Sequence, residues 1–120
     1  MPNPMSDIGR IAAEELKIRF DRGEPFLLLD VREPVERAFC AISIPATAHD
    51  LHVPMGELPT RLEEIKTAQG ERLLVVYCHL GVRSRQAAGW LAHQGLSGLV
   101  NLEGGIEAWS VDVDPDVPRY

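Results

Sequence analysis

The feature that most constrains the fold of this chain is a pair of nearly continuous apolar runs. The first, PFLLLDV at residues 25–31, is bounded by turn-forming residues, and the second is LLVVY at residues 73–77. Runs of this kind are typical of strands that are buried on both faces of a parallel sheet. Segments with helical periodicity lie between and after the two runs. Strands that alternate with helices predict an α/β domain with a mostly parallel sheet.

The other predicted elements are shorter and less apolar. Gly23 and Gly95 supply C-terminal stops for two of the helices. Residues 40–55 are predicted to be irregular, because Pro45 and Pro54 interrupt any long element. The remaining predictions are helices over 13–22, 33–39, 55–67, 84–93 and 103–109, and short strands over 8–11 and 99–102. Together they predict one domain over residues 1–120, with an N-terminal extension at 1–7 and an extended tail at 111–120.

Composition excludes several classes of protein. With 2 Cys in 120 residues, the chain is not a small scaffold stapled by disulfides. No apolar run is long enough to span a membrane, so no membrane partner is expected. The net charge of −6, from 12 basic and 18 acidic residues, argues against a nucleic-acid partner. Residues 1–10 lack the apolar region of a secretory signal, so a cytoplasmic protein is expected.

The residues that follow the second apolar run carry the chemistry. Ligands of open parallel sheets bind beyond the carboxyl ends of the strands, and Cys78 stands at such an end. Gly81 allows a tight loop, and Ser84 is placed to cap the helix that follows. The segment therefore predicts a strand that delivers a cysteine to a loop at a helix N-terminus. It reads Cys78-His79-Leu80-Gly81-Val82-Arg83-Ser84.

This loop is predicted to bind an anion and to hold a reactive thiolate. Unpaired backbone N–H groups at a helix start converge on one point. Arg83 and Arg85 add positive potential nearby, and such surroundings favour the thiolate form of a cysteine. A lone cysteine after a buried strand is more often an inert, packed residue. The combination of Cys78, Gly81, Arg83 and Ser84 is what favours a nucleophile here.

The segment 78–84 resembles the active-site loop of the rhodanese family, whose sulfurtransferases carry sulfur as a cysteine persulfide. Three further segments resemble motifs of that family in the same order: LDVREP at 29–34, VPMGEL at 53–58 and NLEGGIEAW at 101–109. The resemblance covers the chain from about residue 8 to its end. It implies a rhodanese-like fold, in which a mostly parallel central sheet of about five strands is flanked by helices on both faces.

For the site, the resemblance implies that Cys78 is the catalytic nucleophile and that the rest of the loop binds substrate. These substrate-binding residues are His79, Leu80, Gly81, Val82, Arg83 and Ser84. Supporting candidates are Asp30, Arg32, Arg85 and Trp109. The implied donor is a small anion such as thiosulfate, or a persulfide, and the acceptor is a thiol or cyanide. A sulfur-relay protein is a further candidate partner, and no metal or organic cofactor is expected.

Two alternatives stay open. A rhodanese-like domain can be a non-catalytic interaction or regulatory module, although such modules often lack the cysteine. Phosphatases and arsenate reductases use the same scaffold. The related cell-cycle phosphatases place five residues between cysteine and arginine, whereas four separate Cys78 from Arg83, and the shorter loop suits sulfane sulfur. Residues 41–52 depart from the family by lacking its glycine and by extra length, so the resemblance does not define that wall of the pocket.

The other chemistry-bearing residues favour structural roles. Cys40 is interpreted as a small buried hydrophobe rather than a resolving thiol for Cys78. Asp30 and Arg32 are interpreted as a structural ion pair at a strand end. His79 is expected to line the loop rather than act as a general base, since adjacent side chains seldom face each other. The remaining histidines lack ligand-like spacing with the cysteines, which argues against a zinc site: His49, His52 and His93.

Overall fold

The computed structural model describes residues 8–120, and the extension expected at 1–7 lies outside the described residues. Within that range five strands alternate with five α-helices, and a short 3₁₀ helix covers Met55–Glu57. The strands are β1 (Gly9–Ile11), β2 (Leu27–Asp30), β3 (His49–His52), β4 (Leu74–Tyr77) and β5 (Leu99–Leu102). The helices are α1 (Ala13–Asp21), α2 (Pro34–Phe39), α3 (Leu62–Gln69), α4 (Val82–His93) and α5 (Gly105–Asp112).

All five strands run parallel in one sheet, in the order β1-β5-β4-β2-β3. The central strand β4 lies between β2 and β5. Tyr77 at its end is paired with Asp30 of β2, and Val76 is paired with Asn101 of β5. The carboxyl ends of three strands therefore meet around the residue that follows Tyr77, which is Cys78. The predicted α/β fold with a mostly parallel sheet of about five strands is confirmed.

Helices cover both faces of the sheet, because its central strands are apolar on both sides. Every residue of β2 and β4 is buried. On one face, Leu28 and Val75 form a core with α1 and α5. On the other face, Leu29 and Val76 form a core with α3 and α4. No helix described between residues 8 and 120 is long and apolar enough to cross a membrane.

The edge strand β3 is the element that the sequence pattern does not predict. Residues 40–55 are predicted to be irregular, and this prediction is wrong for His49–His52, which pair with β2. The strand reads HDLH, and its residues are exposed or half-buried. An edge strand pairs on one side only and commonly carries polar residues, so it shows no apolar run.

Three helix boundaries also differ from the prediction. α4 begins at Val82, two residues early, with Gly81 as its N-cap at a φ of +100°. Ser84 is therefore the third residue of α4, and the prediction that it caps this helix is wrong. The helix predicted over 55–67 splits into the 3₁₀ helix and α3. α5 continues to Asp112, into the segment that is predicted to be an extended tail.

Candidate active site

Cys78 begins the loop that joins β4 to α4. Its side chain is buried, with 1% of its surface exposed. Sγ accepts hydrogen bonds from two backbone N–H groups, that of Gly81 at 3.1 Å and that of Ser84 at 3.3 Å. Both lie at the start of α4, where backbone donors have no partner within the helix. They form a positively polarised cradle around the sulfur, called the N–H cradle below.

Asn101, on the neighbouring strand β5, holds the residues of the N–H cradle in place. Ser84 Oγ lies 3.3 Å from Cys78 Sγ and donates to Asn101 Oδ1 at 2.5 Å. Asn101 Nδ2 donates to the carbonyl oxygen of Gly81 at 3.2 Å. One buried amide therefore holds both residues that surround the sulfur. Sequence reasoning missed this role, although a lone polar residue in the otherwise apolar strand LVNL is a signal for it.

The N-terminus of α5 holds the loop from its other side. The N–H of Ile106 donates to the carbonyl oxygen of Cys78 at 2.9 Å, and the N–H of Glu107 donates to that of His79 at 3.1 Å. This approach requires glycine at position 105. Gly105 has a φ of +61°, and a Cβ there would lie 2.3 Å from the carbonyl oxygen of His79.

Gly105→Ala is expected to lower the free energy of unfolding by about 2–5 kcal/mol, through left-handed backbone strain and a collision with the loop. Urea unfolding followed by circular dichroism measures this loss. Gly56→Ala is the matched control, because Gly56 has no positive φ and a Cβ there would meet nothing within 4 Å. Equal losses in the two variants would contradict the role assigned to Gly105.

Arg83, predicted as a cation for an anionic donor, is held in an ion pair. Its Nη1 and Nη2 donate to Glu36 Oε1 at 2.7 Å and to Oε2 at 2.9 Å. These hydrogen bonds lower the pKa of Glu36 to about 2, so the carboxylate is charged at neutral pH. Sequence reasoning missed Glu36. Its local signal is the spacing to Glu33, which forms a capping box at the start of α2 and does not point to Arg83.

The other predicted loop residues stand on the surface. Leu80 and Val82 are 58% and 65% exposed. Arg85 is exposed as well. It lies two positions after Arg83 on α4, and residues two apart on a helix do not share a face. The structure therefore does not bring Arg85 to the side of α4 on which Arg83 lies.

Tyr120 covers His79 at the edge of the loop. The two rings stack with centroids 3.9 Å apart and an interplanar angle of 12°. The Tyr120 hydroxyl donates to Glu36 Oε2 at 2.7 Å and accepts from Arg32 Nη1 at 3.0 Å. His79 Nε2 has no hydrogen-bond partner within residues 8–120 and lies 3.9 Å from Glu107 Oε2. His79 therefore lines the loop, while no pattern in the sequence points to Tyr120.

Asp30 and Arg32 form the ion pair that the sequence predicts. Both side chains have 0% exposure. Arg32 Nε and Nη2 donate to the two carboxylate oxygens of Asp30, each at 2.9 Å. Arg32 Nη2 also donates to the carbonyl oxygen of Cys40 at 2.6 Å. The pair ties the end of β2, next to β4, to the segment that follows α2.

The two remaining candidates lie away from the N–H cradle. Trp109 packs edge-on against Phe20, with ring centroids 5.8 Å apart, on the face of the sheet opposite to Cys78. Cys40 is buried, and its Sγ lies 3.7 Å from Arg32 Nη1. Both cysteines are free thiols. Across residues 8–120, no three or more His, Cys, Asp or Glu side chains are grouped to hold a metal ion.

Comparisons with known proteins identify the family. Residues 12–112 match the family described as rhodanese-like domain. A sulfurtransferase from Allochromatium vinosum is 38% identical over 103 residues, which are 86% of this chain and 89% of that protein. The crystal structure of a rhodanese-like domain protein from Staphylococcus aureus superposes with a TM-score of 0.73 at 27% identity. That match covers 94% of this chain and 99% of the other.

Some relatives are much longer than this chain. A protein of Zea mays named adenylyltransferase and sulfurtransferase MOCS3-2 is 37% identical over 120 residues, which are 98% of this chain and 24% of that protein. The chain thus spans about a quarter of the length of such relatives. The family match extends over most of the chain, from α1 to the end of α5. This chain belongs to the rhodanese-like domain family.

Proposed function

We propose that this chain is a sulfurtransferase in which Cys78 carries a sulfane sulfur as a persulfide. The observation that carries the proposal is the N–H cradle, with Gly81 and Ser84 donating to Sγ at 3.1 and 3.3 Å. The thiolate is the nucleophilic form of cysteine, and preorganised backbone donors stabilise negative charge without rearrangement. The sulfurtransferase names of relatives support the same reaction class. The four-residue spacing from Cys78 to Arg83 favours it over a phosphatase.

In the first step, the Cys78 thiolate attacks the outer sulfur of a donor such as thiosulfate. A disulfide-type S–S bond forms at Cys78, and the bond between the two donor sulfurs breaks. The electron pair of the broken bond leaves with sulfite. The new terminal sulfur carries the negative charge, and the N–H cradle stabilises the reacting sulfurs. The rate depends on thiolate nucleophilicity and on the leaving group.

In the second step, an acceptor thiolate or cyanide attacks the terminal sulfur. The S–S bond to Cys78 breaks, and its electron pair returns to Cys78 as a thiolate. The acceptor leaves as a persulfide or as thiocyanate, so the cycle balances without an external oxidant or reductant. A sulfur-relay protein is our proposed natural acceptor, by analogy with relatives whose names join two activities. A reducing compartment, the cytoplasm, suits this chemistry because it keeps thiols free.

Mass spectrometry of the intact protein after incubation with thiosulfate tests the proposal. We expect a gain of about 32 Da, one sulfur atom, that maps to the peptide containing Cys78 and disappears on addition of cyanide. Because the chain has 2 Cys, Cys40→Ser is a matched control and should gain the same mass. A protein that forms no adduct with thiosulfate or with an organic sulfane-sulfur donor would contradict the proposal and favour the non-catalytic interaction module.

A further inference from the structure

The carboxylate of Glu36 is locked onto Arg83. Its Oε1 accepts from Arg83 Nη1 at 2.7 Å and from the N–H of Glu33 at 3.0 Å. Its Oε2 accepts from Arg83 Nη2 at 2.9 Å and from the hydroxyl of Tyr120 at 2.7 Å. Four donors thus surround a carboxylate that is 15% exposed. A bidentate arginine–carboxylate pair that accepts additional hydrogen bonds has a fixed geometry, unlike a mobile ion pair on the surface.

The pairing leaves the loop with little net positive charge. The charge of Arg83 is offset by Glu36, and Arg85 lies on a different face of α4. On the other side of the loop, Glu107 lies near His79 and pairs with Arg119, at 2.5 Å between Oε1 and Nε. The charges that border the loop are therefore balanced, and the positive site that the sequence predicts is largely neutralised.

Three exposed side chains of the loop and of the start of α2 are apolar. Two belong to the loop itself, and the third precedes Glu36 on α2. They are Leu80, Val82 and Val35, and they are 58%, 65% and 76% exposed. These three side chains offer a sulfur donor apolar contact, and the charged side chain of Glu33, exposed at the N-cap of α2, is negative. An apolar rim favours a ligand that carries an apolar group over a small, strongly hydrated dianion.

We propose that Glu36 determines which sulfur donor Cys78 uses, by cancelling the charge of Arg83. The site then favours a monoanionic organic sulfane-sulfur donor over the dianion thiosulfate. This inference rests on the proposed function of Cys78 and names its donor class. A second negative charge on the donor gains no net attraction from the paired Arg83, yet it must still lose part of its hydration at a buried sulfur.

Two donors that differ by one charge provide the probe. Thiosulfate and methanethiosulfonate carry the same outer sulfur, but a methyl group replaces one charged oxygen in the second. With either donor the Cys78 thiolate takes the outer sulfur. The electron pair of the broken S–S bond leaves with sulfite from thiosulfate and with methanesulfinate from methanethiosulfonate. The product is the same Cys78 persulfide, so the ratio of kcat/KM for the two donors isolates donor recognition.

Steady-state kinetics with cyanide as acceptor compare this ratio in the wild type and in Glu36→Gln. Freeing the charge of Arg83 is expected to raise kcat/KM for thiosulfate roughly tenfold relative to that for methanethiosulfonate. The gain should shrink as salt is added, because it is electrostatic. Glu63→Gln is the matched control, since it removes the same charge from a side chain on α3 that is 88% exposed. Its donor ratio should equal that of the wild type.

Arg83→Gln supplies an independent second variant. It leaves Glu36 uncompensated, so the donor ratio should shift the opposite way, against thiosulfate. The double variant Glu36→Gln/Arg83→Gln should not show the gain for thiosulfate that Glu36→Gln shows alone, because that gain requires the charge of Arg83. The effects of the two substitutions are then coupled. A donor ratio that is unchanged in both single variants, while Cys78 still gains one sulfur, would overturn this inference and leave the proposed function standing. Absence of the Cys78 adduct with both donors would instead overturn the proposed function, and the donor inference with it.

Discussion

Cys78→Ser is expected to reduce persulfide formation and sulfur transfer to the uncatalysed background while the protein stays folded. A serine hydroxyl is protonated at neutral pH and does not replace a thiolate as the nucleophile towards sulfur. Serine Oγ can accept the same N–H groups, those of Gly81 and Ser84. The free energy of unfolding should therefore change by about 1 kcal/mol. Sulfur transfer from thiosulfate to cyanide and intact-protein mass spectrometry measure the loss of function.

Cys40→Ser is the control that shows whether the loss of activity is specific to the Cys78 thiol or follows from the loss of either thiol. Cys40 is buried like Cys78, but its Sγ contacts Arg32 and lies outside the N–H cradle. We expect this variant to keep its sulfur-transfer activity. Wild-type activity in Cys78→Ser, measured on protein with an unchanged circular dichroism spectrum, would contradict the assignment of Cys78 as the persulfide carrier.

Arg32→Met is expected to lower the free energy of unfolding by about 3–5 kcal/mol. The side chains of Arg32 and Asp30 have 0% exposure. Removing the guanidinium leaves a buried carboxylate that has lost two hydrogen bonds of 2.9 Å. It also removes the donor that holds the carbonyl oxygen of Cys40 at 2.6 Å. Methionine retains the apolar stem, so the loss reports the missing charge and donors. Urea unfolding at pH 7 measures it.

Two further variants make this prediction specific. Arg10→Met removes an arginine whose side chain is 72% exposed and lies 3.6 Å from Glu103, and it should unfold like the wild type. Asp30→Asn/Arg32→Met removes both charges and should recover part of the stability lost in Arg32→Met, since the buried carboxylate, left with Arg37 Nη1 at 3.3 Å as its side-chain donor, is gone. A loss in Arg32→Met no larger than that in Arg10→Met would rule out a structural role for the buried pair.

Much of the fold is predictable because it depends on local sequence patterns. The runs at 25–31 and 73–77 are apolar at almost every position because β2 and β4 are buried on both faces. Parallel strands place their carboxyl ends together, so the order of elements already brings Cys78 to the end of the central strand. The placement of Gly81 and Ser84 at the next helix start follows from their spacing to Cys78. The buried pairing of Asp30 with Arg32 is local as well, since the residues are two positions apart.

The wrong predictions arise where local signals are weak or have two explanations. β3 has polar residues because it is an edge strand, so no apolar pattern marks it. Ser84 is a good helix cap by residue type, but Gly81 reaches a φ of +100° and starts α4 earlier. Ser84 Oγ instead donates to Asn101 Oδ1 and lies 3.3 Å from Cys78 Sγ. The supporting role of Trp109 stays a prediction: its segment resembles a family motif, and its side chain packs against Phe20 on the face of the sheet opposite to Cys78.

The sequence alone determines the α/β fold, the position of Cys78 at a strand end and the loop that carries it. These follow from periodicity and from residues that are neighbours along the chain. Only the tertiary structure decides the charge of the site. Glu36 reaches Arg83 across 47 residues, and Tyr120 reaches Glu36 across 84. No local pattern encodes such contacts, because they depend on how helices and the chain beyond α5 pack around the end of the sheet. The sequence therefore predicts a free cation where the folded protein has a neutralised one.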